Sequence, residues 1–534
     1  MNVSKVSLLD TGYISGLTKA YIANDVSLRP FYNHYFDIEN FEKAIEERQK
    51  NDVNRDDLFE VLNQQHAPFY DQFTALASTV ELIKSQNTFT ITTGHQLCLA
   101  TGPLYFIYKI ASAINLCNKL KKRYPHYNFI PVYWMATEDH DFEEINHIHI
   151  FNKKITWNKD VEGATGRIST AGIEQFFNEI NLLLGEKASD VNYFATALAA
   201  YQSKSNLADA TRCLVLNLFA DKNLLVLDAD NTLLKENFKD IIKKDILDQL
   251  SHAAVTKKIK QLVDQNLIKE EKIQVKPRYI NFFYLKDKLR KRITLEDHIY
   301  KVLETEITFT KAQLLQEIEE FPERFSPNVI MRPVYQECIL PNLVYIGGAG
   351  ELSYWFELKG IFDAHQIYFP MLALRNSFLW IDSKQAEKLA QLGISTAEVF
   401  DSIETLTAKT LKNIGVEELL FNDEEAITRG LFEQIKTKIA AIDATLAATA
   451  EGEKMKALKS IEMLAQKAAK AQKNKHDISI NQLKKLKDNL FPEGGLQERY
   501  ENILWLNLKF GNNIIDQLIA LAEVDKKEFT IIVS

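Results

Sequence analysis

The sequence predicts an α/β protein with a doubly wound parallel sheet and helical insertions, followed by a carboxyl-terminal antiparallel α-helical coiled coil. Apolar strands at 89–93 and 129–136 each end in a cluster of polar residues, and a helical pattern separates them. From about residue 384, glycine and proline become scarce and apolar residues recur every three or four positions. Ligands bind outside the carboxyl ends of parallel strands, so the polar clusters also predict a binding site.

Composition narrows the class of protein. The 534 residues exceed the usual size of a single hydrophobic core, so two or more structural units are expected. The net charge of -8 gives no overall attraction for nucleic acid or anionic lipid. Residues 1–13 lack the apolar core of a secretory signal, and no apolar run is long enough to cross a bilayer. We therefore expect a cytoplasmic protein without a nucleic-acid or membrane partner.

The first part of the chain alternates helices and strands. Apolar residues at helical spacing cover 40–88, ahead of the first strand. Pro103 suits the first turn of the helix between the two strands. An alternating segment at 146–157 predicts a hairpin, and further strands are expected at 224–227 and 281–285.

The carboxyl-terminal part carries two apolar stripes, at 431–446 and 480–490, and we expect a break in the helix and a turn between them at Glu451-Gly452-Glu453. This pattern predicts an antiparallel hairpin whose stripes pack together and supply a homodimer contact. A last strand is expected at 529–533. We expect three parts of the chain: a catalytic core at 1–383 with helical or connecting insertions at about 150–330, a helical coiled-coil domain at 384–525, and a terminal strand at 526–534 that returns to the core.

Polar and small residues connect the first strand to the next helix: Thr93, Gly94, His95, Gln96, Thr101 and Gly102. A helix amino terminus carries about half a positive charge, so this loop suits a phosphate or carboxylate, which Lys109 would support. The Gly-x-x-x-x-Gly-Lys spacing of a Walker loop is missing. An ordinary tight turn with a helix cap explains the loop equally well.

The densest ionisable cluster follows the second strand: Glu138, Asp139, His140 and Asp141. Carboxylates beside an imidazole move one another's pKa values apart, which provides an acid and a base at neutral pH. We take Asp139, His140 and Asp141 as candidate catalytic residues and Glu138 as a binding residue. The same groups suit a divalent metal, although we assign no metal ligand, and acids at a helix start explain the cluster equally well.

A third group of candidate binding residues lies within 331–382. Arg332 offers a bidentate fork for a carboxylate or phosphate. A glycine-rich turn and a helix start follow it, at the end of an apolar flank, which favours a site over a plain turn. The candidates in this region are Arg332, Gln336, Gly347, Gly348, Glu351, Tyr354 and Arg375.

Four segments, in order along nearly the whole chain, resemble the family of bacillithiol biosynthesis cysteine-adding enzymes. They are Thr-Gly-His-Gln with Thr-Gly-Pro-Leu-Tyr and Tyr-Lys at 93–109, Glu-Asp-His-Asp-Phe-Glu-Glu-Ile-Asn-His at 138–147, Tyr-Ile-Gly-Gly at 345–348 with Glu351 and Tyr354-Trp355, and Leu-Phe-Pro at 490–492 with Gly-Leu-Gln-Glu-Arg at 495–499.

The resemblance implies a Rossmann-like core, a coiled coil and a homodimer. It implies a ligase that joins the carboxyl group of cysteine to the amine of glucosaminyl malate, the last step of bacillithiol biosynthesis. The cofactor stays open, with ATP or another adenine nucleotide as a candidate and no metal assigned. His95 departs from the Gln of some relatives, and the His-x-Gly-His and Lys-Met-Ser-Lys-Ser signatures of synthetase-type adenylating enzymes are missing.

Two other functions fit parts of the sequence. The cluster at 138–141 suits a metal-dependent hydrolase or nucleotidyltransferase. The apolar stripes after residue 430 suit a non-enzymatic scaffold, but that reading leaves the polar clusters at the strand ends unexplained.

Overall fold

The computed structural model describes residues 2–219, 221–413, 421–475 and 477–534. The chain divides into a larger unit, Lys5–Leu379 with Gly495–Thr530, and a smaller unit, Trp380–Gly494 with short pieces of both termini. Among the described residues, no helix combines the length and apolar character needed to cross a bilayer.

The strands are β1 (Asn2–Ser7), β2 (Thr88–His95), β3 (Asn128–Met135), β4 (His147–Ile150), β5 (Lys153–Thr156), β6 (Leu225–Asp228), β7 (Phe282–Lys286), β8 (Leu289–Glu296), β9 (Ile299–Val302), β10 (Thr308–Phe309), β11 (Phe325–Pro327), β12 (Asn342–Gly347), β13 (Met371–Leu374), β14 (Ser377–Ile381) and β15 (Glu528–Val533). The α-helices are α1 (Gly16–Ile22), α2 (Phe41–Lys50), α3 (Arg55–His66), α4 (Thr74–Glu81), α5 (Tyr105–Arg123), α6 (Phe142–Ile145), α7 (Glu174–Leu184), α8 (Asn192–Ser203), α9 (Leu207–Leu218), α10 (Thr232–Glu236), α11 (Lys239–Asp248), α12 (Leu250–Asp264), α13 (Lys311–Glu320), α14 (Arg332–Ile339), α15 (Ala349–His365), α16 (Ser383–Gln391), α17 (Ile403–Asn413), α18 (Asn422–Ala440), α19 (Leu446–Lys475), α20 (Asp477–Leu490), α21 (Ile503–Phe510) and α22 (Ile514–Leu521).

A five-stranded parallel sheet of order β13-β12-β2-β3-β6 lies in the larger unit. Nearly all residues of its central strands are buried, and β3 and β12 are accordingly almost continuous apolar runs. Strand β2 instead alternates buried threonines with Phe89 and Ile91, and hydroxyls such as that of Thr93 are hydrogen-bonded inside the sheet. The chain builds the sheet outward from β2 in both directions, so the loops after β2 and β12 diverge and leave a crevice between them. The doubly wound sheet predicted from the sequence is confirmed.

Helix α5 connects β2 to β3 and begins directly after a strained turn. Gly102 adopts φ +57°, and a Cβ there would lie 2.5 Å from the Cβ of Cys98, so only glycine fits. The Leu104 amide donates to the carbonyl oxygen of Glu501 at 2.8 Å. The Leu104 amide at the start of α5 therefore already has a protein partner. The anion-binding role of the loop remains a prediction.

A second five-stranded sheet, of order β10-β9-β8-β7-β11, is antiparallel throughout. The strand predicted at 281–285 exists as β7, but it belongs to this sheet, whose other strands the sequence analysis did not identify. Short strands with polar outer faces carry a weak local pattern, and their pairing depends on partners far along the chain. The predicted hairpin at 146–157 is confirmed as β4 and β5.

In the smaller unit, α18 and α19 form an antiparallel hairpin. Ion pairs join Lys454 to Glu433 at 2.7 Å and Lys436 to Glu451 at 3.2 Å, and these two pairings fix the antiparallel register. The predicted break at Gly452 is wrong, because this glycine lies inside α19 and the chain reverses at 441–445. Helix interiors tolerate a glycine at a cost of about 1 kcal/mol.

The predicted partner of the 431–446 stripe is also wrong. This stripe lies on α18 and the start of α19, and α18 packs against α19. The second stripe is buried on α20, which packs against α17. Two amphipathic stripes of the same period leave their pairing undetermined until the turns are known.

Candidate active site

A cavity of about 660 Å³ lies at the carboxyl ends of β2, β3 and β12. The predicted residues that line it are Gly94, His95, Gln96, Lys109, Asp139, His140, Asp141, Arg332, Gln336, Glu351 and Tyr354. Three segments that are distant in the sequence therefore meet in one place. The other predicted residues, which are not among those lining the cavity, are Thr93, Thr101, Gly102, Glu138, Gly347, Gly348 and Arg375.

Asp139 lies at the centre of the polar wall. Its carboxylate accepts hydrogen bonds from the backbone amide of His140 at 2.8 Å and from Gln96 Nε2 at 3.4 Å, and lies 3.5 Å from Arg332 Nη2. Burial alone would raise the pKa of Asp139, but hydrogen bonding from His140 and the charges of Arg332 and Arg290 hold it well below its usual value. Asp139 is therefore anionic at neutral pH.

Backbone contacts hold the loop that carries Asp139. The amide of Thr165 donates to the Asp139 carbonyl at 2.6 Å, and the amide of Gly166 donates to the Thr137 carbonyl at 2.8 Å. A Cβ on Gly166 would lie 2.6 Å from the Cβ of Thr137, so the segment approaches this closely only with glycine. Gln96 also donates to Glu144 at 2.8 Å, which joins the loops after β2 and β3.

Lys109 and Glu351 form a buried ion pair on the opposite wall, with 2.5 Å between Nζ and Oε2. Glu351 also accepts from the Tyr345 hydroxyl at 2.7 Å and from the Gly348 amide at 2.8 Å. Burial opposes ionisation, but Lys109 and these donors lower the pKa of Glu351, while burial lowers the pKa of Lys109. The pair fixes the start of α15 against α5.

His95 is neutral. Burial, followed by the nearby Lys109 charge, lowers its pKa to about 3. Its ring lies 5.1 Å from that of Tyr105 and 5.3 Å from that of Phe106, and Nδ1 is 3.0 Å from the Gln96 carbonyl oxygen. The imidazole is built into the cavity wall as an uncharged group.

Two of the predicted residues that do not line the cavity belong to buried ion pairs. Lys235 Nζ donates to Glu138 Oε1 at 2.5 Å, and Lys235 has no exposed surface. Burial raises the pKa of Glu138, and the Lys235 charge opposes that shift. Arg375 Nη2 lies 2.7 Å from Glu498 Oε1, and its other terminal nitrogen, Nη1, donates to the Ser377 hydroxyl.

The remaining predicted residues that do not line the cavity shape the backbone. The Thr93 hydroxyl donates to the Ile346 carbonyl at 2.8 Å, and Thr101 bonds to the Tyr193 hydroxyl at 3.0 Å. A Cβ on Gly347 would lie 2.9 Å from a Leu352 methyl group, so the turn into α15 needs glycine there.

One wall of the cavity, which was not predicted from the sequence, is strongly cationic. It includes Lys276, Arg278, Arg290 and Arg292. Among the described residues, no side-chain hydrogen bond or ion pair engages Lys276, Arg278 or Arg292. Arg290 and Arg292, at alternate positions of β8, form the sequence pattern that could have predicted this wall. Cations that line a cavity and have no side-chain hydrogen bond or ion pair there suit an anionic ligand.

Asp139, His140 and Asp141 each offer one ligand atom, and these atoms lie within 4.8 Å of one another. The donor set suits a divalent cation in number and type. The guanidinium groups of Arg290 and Arg332 beside it oppose a second positive charge.

Comparisons with known proteins agree over the whole chain. Residues 1–376 match the family model described as bacillithiol biosynthesis BshC, N-terminal Rossmann-like domain, and residues 378–534 match that of the C-terminal coiled-coil domain. The proteins named "Putative cysteine ligase BshC" from Flavobacterium johnsoniae and Flavobacterium psychrophilum are 41% and 40% identical, and the matches cover 99% and 97% of both chains. That of Christiangramia forsetii is 38% identical over 99% of this chain and 98% of its own. The chain belongs to the BshC family of bacillithiol biosynthesis.

Proposed function

We propose that this protein joins L-cysteine to glucosaminyl malate through an amide bond, in the last step of bacillithiol biosynthesis. The observation that carries the proposal is one cavity that holds carboxylates and unpaired cations together. The substrate has an amine and a dicarboxylate, so it needs both signs of charge in one site. The names of the relatives support the choice of cysteine as the second substrate.

In this proposal the cationic wall and Arg332 bind the malate carboxylates or a nucleotide phosphate. Guanidinium groups match the planar geometry of both anions through paired hydrogen bonds. The anionic cluster around Asp139 and Asp141 faces the amine. As the amine attacks the activated carboxyl carbon, a C–N bond forms, the bond to the activating group breaks, and a carboxylate takes the amine proton.

Activation of the cysteine carboxyl group needs a phosphoryl or adenylyl donor, and we propose ATP or another adenine nucleotide. We assign the nucleotide phosphates to the cationic wall and not to the start of α15, where the Gly348 amide already donates to the Glu351 carboxylate. We place the reaction in the cytoplasm, which fits four cysteines that are all free.

The test is metabolite analysis of a strain that lacks the gene, in an organism with a single copy. We expect bacillithiol to disappear and glucosaminyl malate to accumulate, and the intact gene to restore both. Normal bacillithiol without accumulation of glucosaminyl malate would overturn the proposal.

A metal-dependent hydrolase or nucleotidyltransferase is a second candidate, because three ligand atoms lie close together at residues 139–141. It predicts a stoichiometric divalent ion in the purified protein and activity that chelators abolish. Protein without metal, together with bacillithiol production that is normal in the cell, would remove this candidate.

We also propose a homodimer formed through the hairpin of α18 and α19. Ile427, Leu431, Ile435 and Ile442 are exposed on it although they are large and apolar. Exposed apolar surface of this kind marks an interface in soluble proteins. A monomer at micromolar concentration in sedimentation would contradict the proposal.

A further inference from the structure

Three contacts hold the Arg290 side chain in place, and a fourth joins it to His140 in the cluster at residues 139–141. It lies on β8 with only 4% of its surface exposed. Its Nε donates to the Ser326 hydroxyl at 3.1 Å and its Nη2 to the Pro327 carbonyl at 3.3 Å. Its guanidinium carbon lies 4.0 Å from the centre of the Phe283 ring. The remaining nitrogen, Nη1, lies 2.7 Å from Nδ1 of His140.

The chemistry of the two side chains decides the direction of this hydrogen bond. A guanidinium group has donors and no acceptor, so His140 Nδ1 must accept and cannot carry a proton. Burial lowers the pKa of Arg290 to about 10, which leaves it charged at neutral pH. The neutral imidazole then carries its proton on Nε2.

The carboxylates near the imidazole ring favour a proton on its nitrogens, but they lie farther from the ring than Arg290 does. Asp139 Oδ1 is 3.7 Å from Nδ1, and Asp141 Oδ1 is 3.9 Å from Nε2. Both distances exceed that of a hydrogen bond, whereas the Arg290 contact is within it. The Phe283 ring, 5.6 Å from the His140 ring, adds no charge.

We propose that Arg290 is a positioning residue that holds His140 as the neutral Nε2–H tautomer, so that His140 acts as a hydrogen-bond donor and not as the base. The role rests on the proposed amide-forming reaction. Nε2–H then serves the oxygen of the cysteine carboxyl group, on which negative charge develops when the amine attacks. The amine proton goes to a carboxylate of the same cluster, Asp139 or Asp141.

The tautomer can be measured without any activity assay. The full-length protein is labelled with ¹⁵N-histidine, and the His140 signals among its 11 histidines are assigned by comparison with the His140→Gln variant. We expect an unprotonated Nδ1 and a protonated Nε2 at neutral pH. A proton on Nδ1, alone or together with one on Nε2, would overturn the proposal.

Variants of β8 test whether Arg290 is the cause. Arg290→Met should shift His140 toward a mixture of the two neutral tautomers. Lys291→Met is the matched control, because Lys291 follows Arg290 on the same strand, pairs with Glu304 and does not line the cavity, so the His140 signals should stay unchanged. Unchanged His140 signals in a folded Arg290→Met variant would refute the assigned cause.

If Arg290→Met does not fold, Arg290→Lys decides the matter, because lysine keeps a donor and a charge. We expect Arg290→Lys to keep Nδ1 unprotonated, because its ammonium group also donates, and a proton on Nδ1 in the folded variant would overturn the claim that a donor at this position sets the tautomer. Both results concern the imidazole alone. The deletion strain tests the amide-forming reaction separately, so a failure of the tautomer proposal can be distinguished from a failure of the proposed function.

Discussion

The cavity buries charged side chains, whereas the hairpin of α18 and α19 exposes apolar ones. At the cavity, ion pairs such as Lys109 with Glu351 and Lys235 with Glu138 lie largely out of water. On the hairpin, Leu431 is 54% exposed and Ile442 is 83% exposed. Both arrangements cost free energy in an isolated chain, because buried charge loses solvation and exposed apolar surface orders water.

The difference indicates two kinds of partner. Buried, paired charge around a concave space fits a small polar ligand, because it is already arranged to receive charge. An exposed apolar stripe on a convex helix has no room for a small molecule and fits another protein surface. Mutations should therefore affect chemistry and stability in the first region and assembly in the second.

The largest effect is expected from Asp139→Asn, which removes the charge at the centre of the cavity wall and keeps the size of the side chain. Loss of a residue that engages the reacting groups costs about 10² to 10⁴ in rate. Bacillithiol should fall by at least about 100-fold in the complemented deletion strain. Glu143→Gln, an exposed carboxylate that does not line the cavity, is the control and should restore normal levels. Normal bacillithiol with Asp139→Asn would separate this aspartate from the chemistry.

The second effect concerns the buried pair behind the wall. Lys235→Met leaves Glu138 buried without its partner, which should lower the free energy of unfolding by about 3–5 kcal/mol. Adding Glu138→Gln removes the unpaired charge, so the double variant should regain a large part of the loss. Denaturant unfolding, followed by tryptophan fluorescence, measures the free energy of unfolding of the parent, the single variant and the double variant. Equal stability of the single variant and the parent would show that the pair is not needed.

The third effect depends on pH. Burial raises the pKa of Glu337 to about 7, above the 4.5 that is usual for a glutamate side chain. The folded protein then binds this proton more tightly than the unfolded chain, so the ionised carboxylate destabilises the fold increasingly as pH rises from 4.5 to 7. Glu337→Gln should be more stable than the parent at pH 8, by up to about 3 kcal/mol, and equal to it near pH 4.

Thermal unfolding at several pH values measures this difference. Glu46→Gln is the control, since Glu46 is exposed on α2, and its difference from the parent should not change with pH. A Glu337→Gln variant whose advantage does not grow with pH would show that Glu337 is ionised at no cost in the fold.

The smallest effect on stability is expected on the hairpin. Replacing both Leu431 and Ile435 by Asp changes exposed positions, so the free energy of unfolding should move by only about 1 kcal/mol. Association should nevertheless be lost, because the charges would lie in the apolar dimer contact. Sedimentation should show a monomer for this variant and a dimer for Thr437→Asp, which adds a charge at an exposed polar position on a different face of α18. A dimer that survives both substitutions would place the interface elsewhere.

Local pattern was enough for the elements that carry the core and for the position of the site. Strand β3 could be predicted because burial on both faces requires a nearly continuous apolar sequence, and β2 because β-branched and aromatic residues dominate it. Topology rules then place the polar residues that follow them at one edge of a parallel sheet. This is why Gln96 and Asp139 could be predicted to share a site, and both line the cavity.

Only the tertiary structure decided which side chains face the cavity and which support it from behind. Arg290 reaches His140 because β8 pairs in an antiparallel sheet whose register no local pattern encodes. Glu138 turns away to Lys235, although its neighbour Asp139 faces the cavity. The partner of the 431–446 stripe was likewise undetermined, since apolar stripes of equal period pair in any order that the turns permit. Direction of a side chain and choice of partner depend on contacts between distant segments, and these exist only in the folded chain.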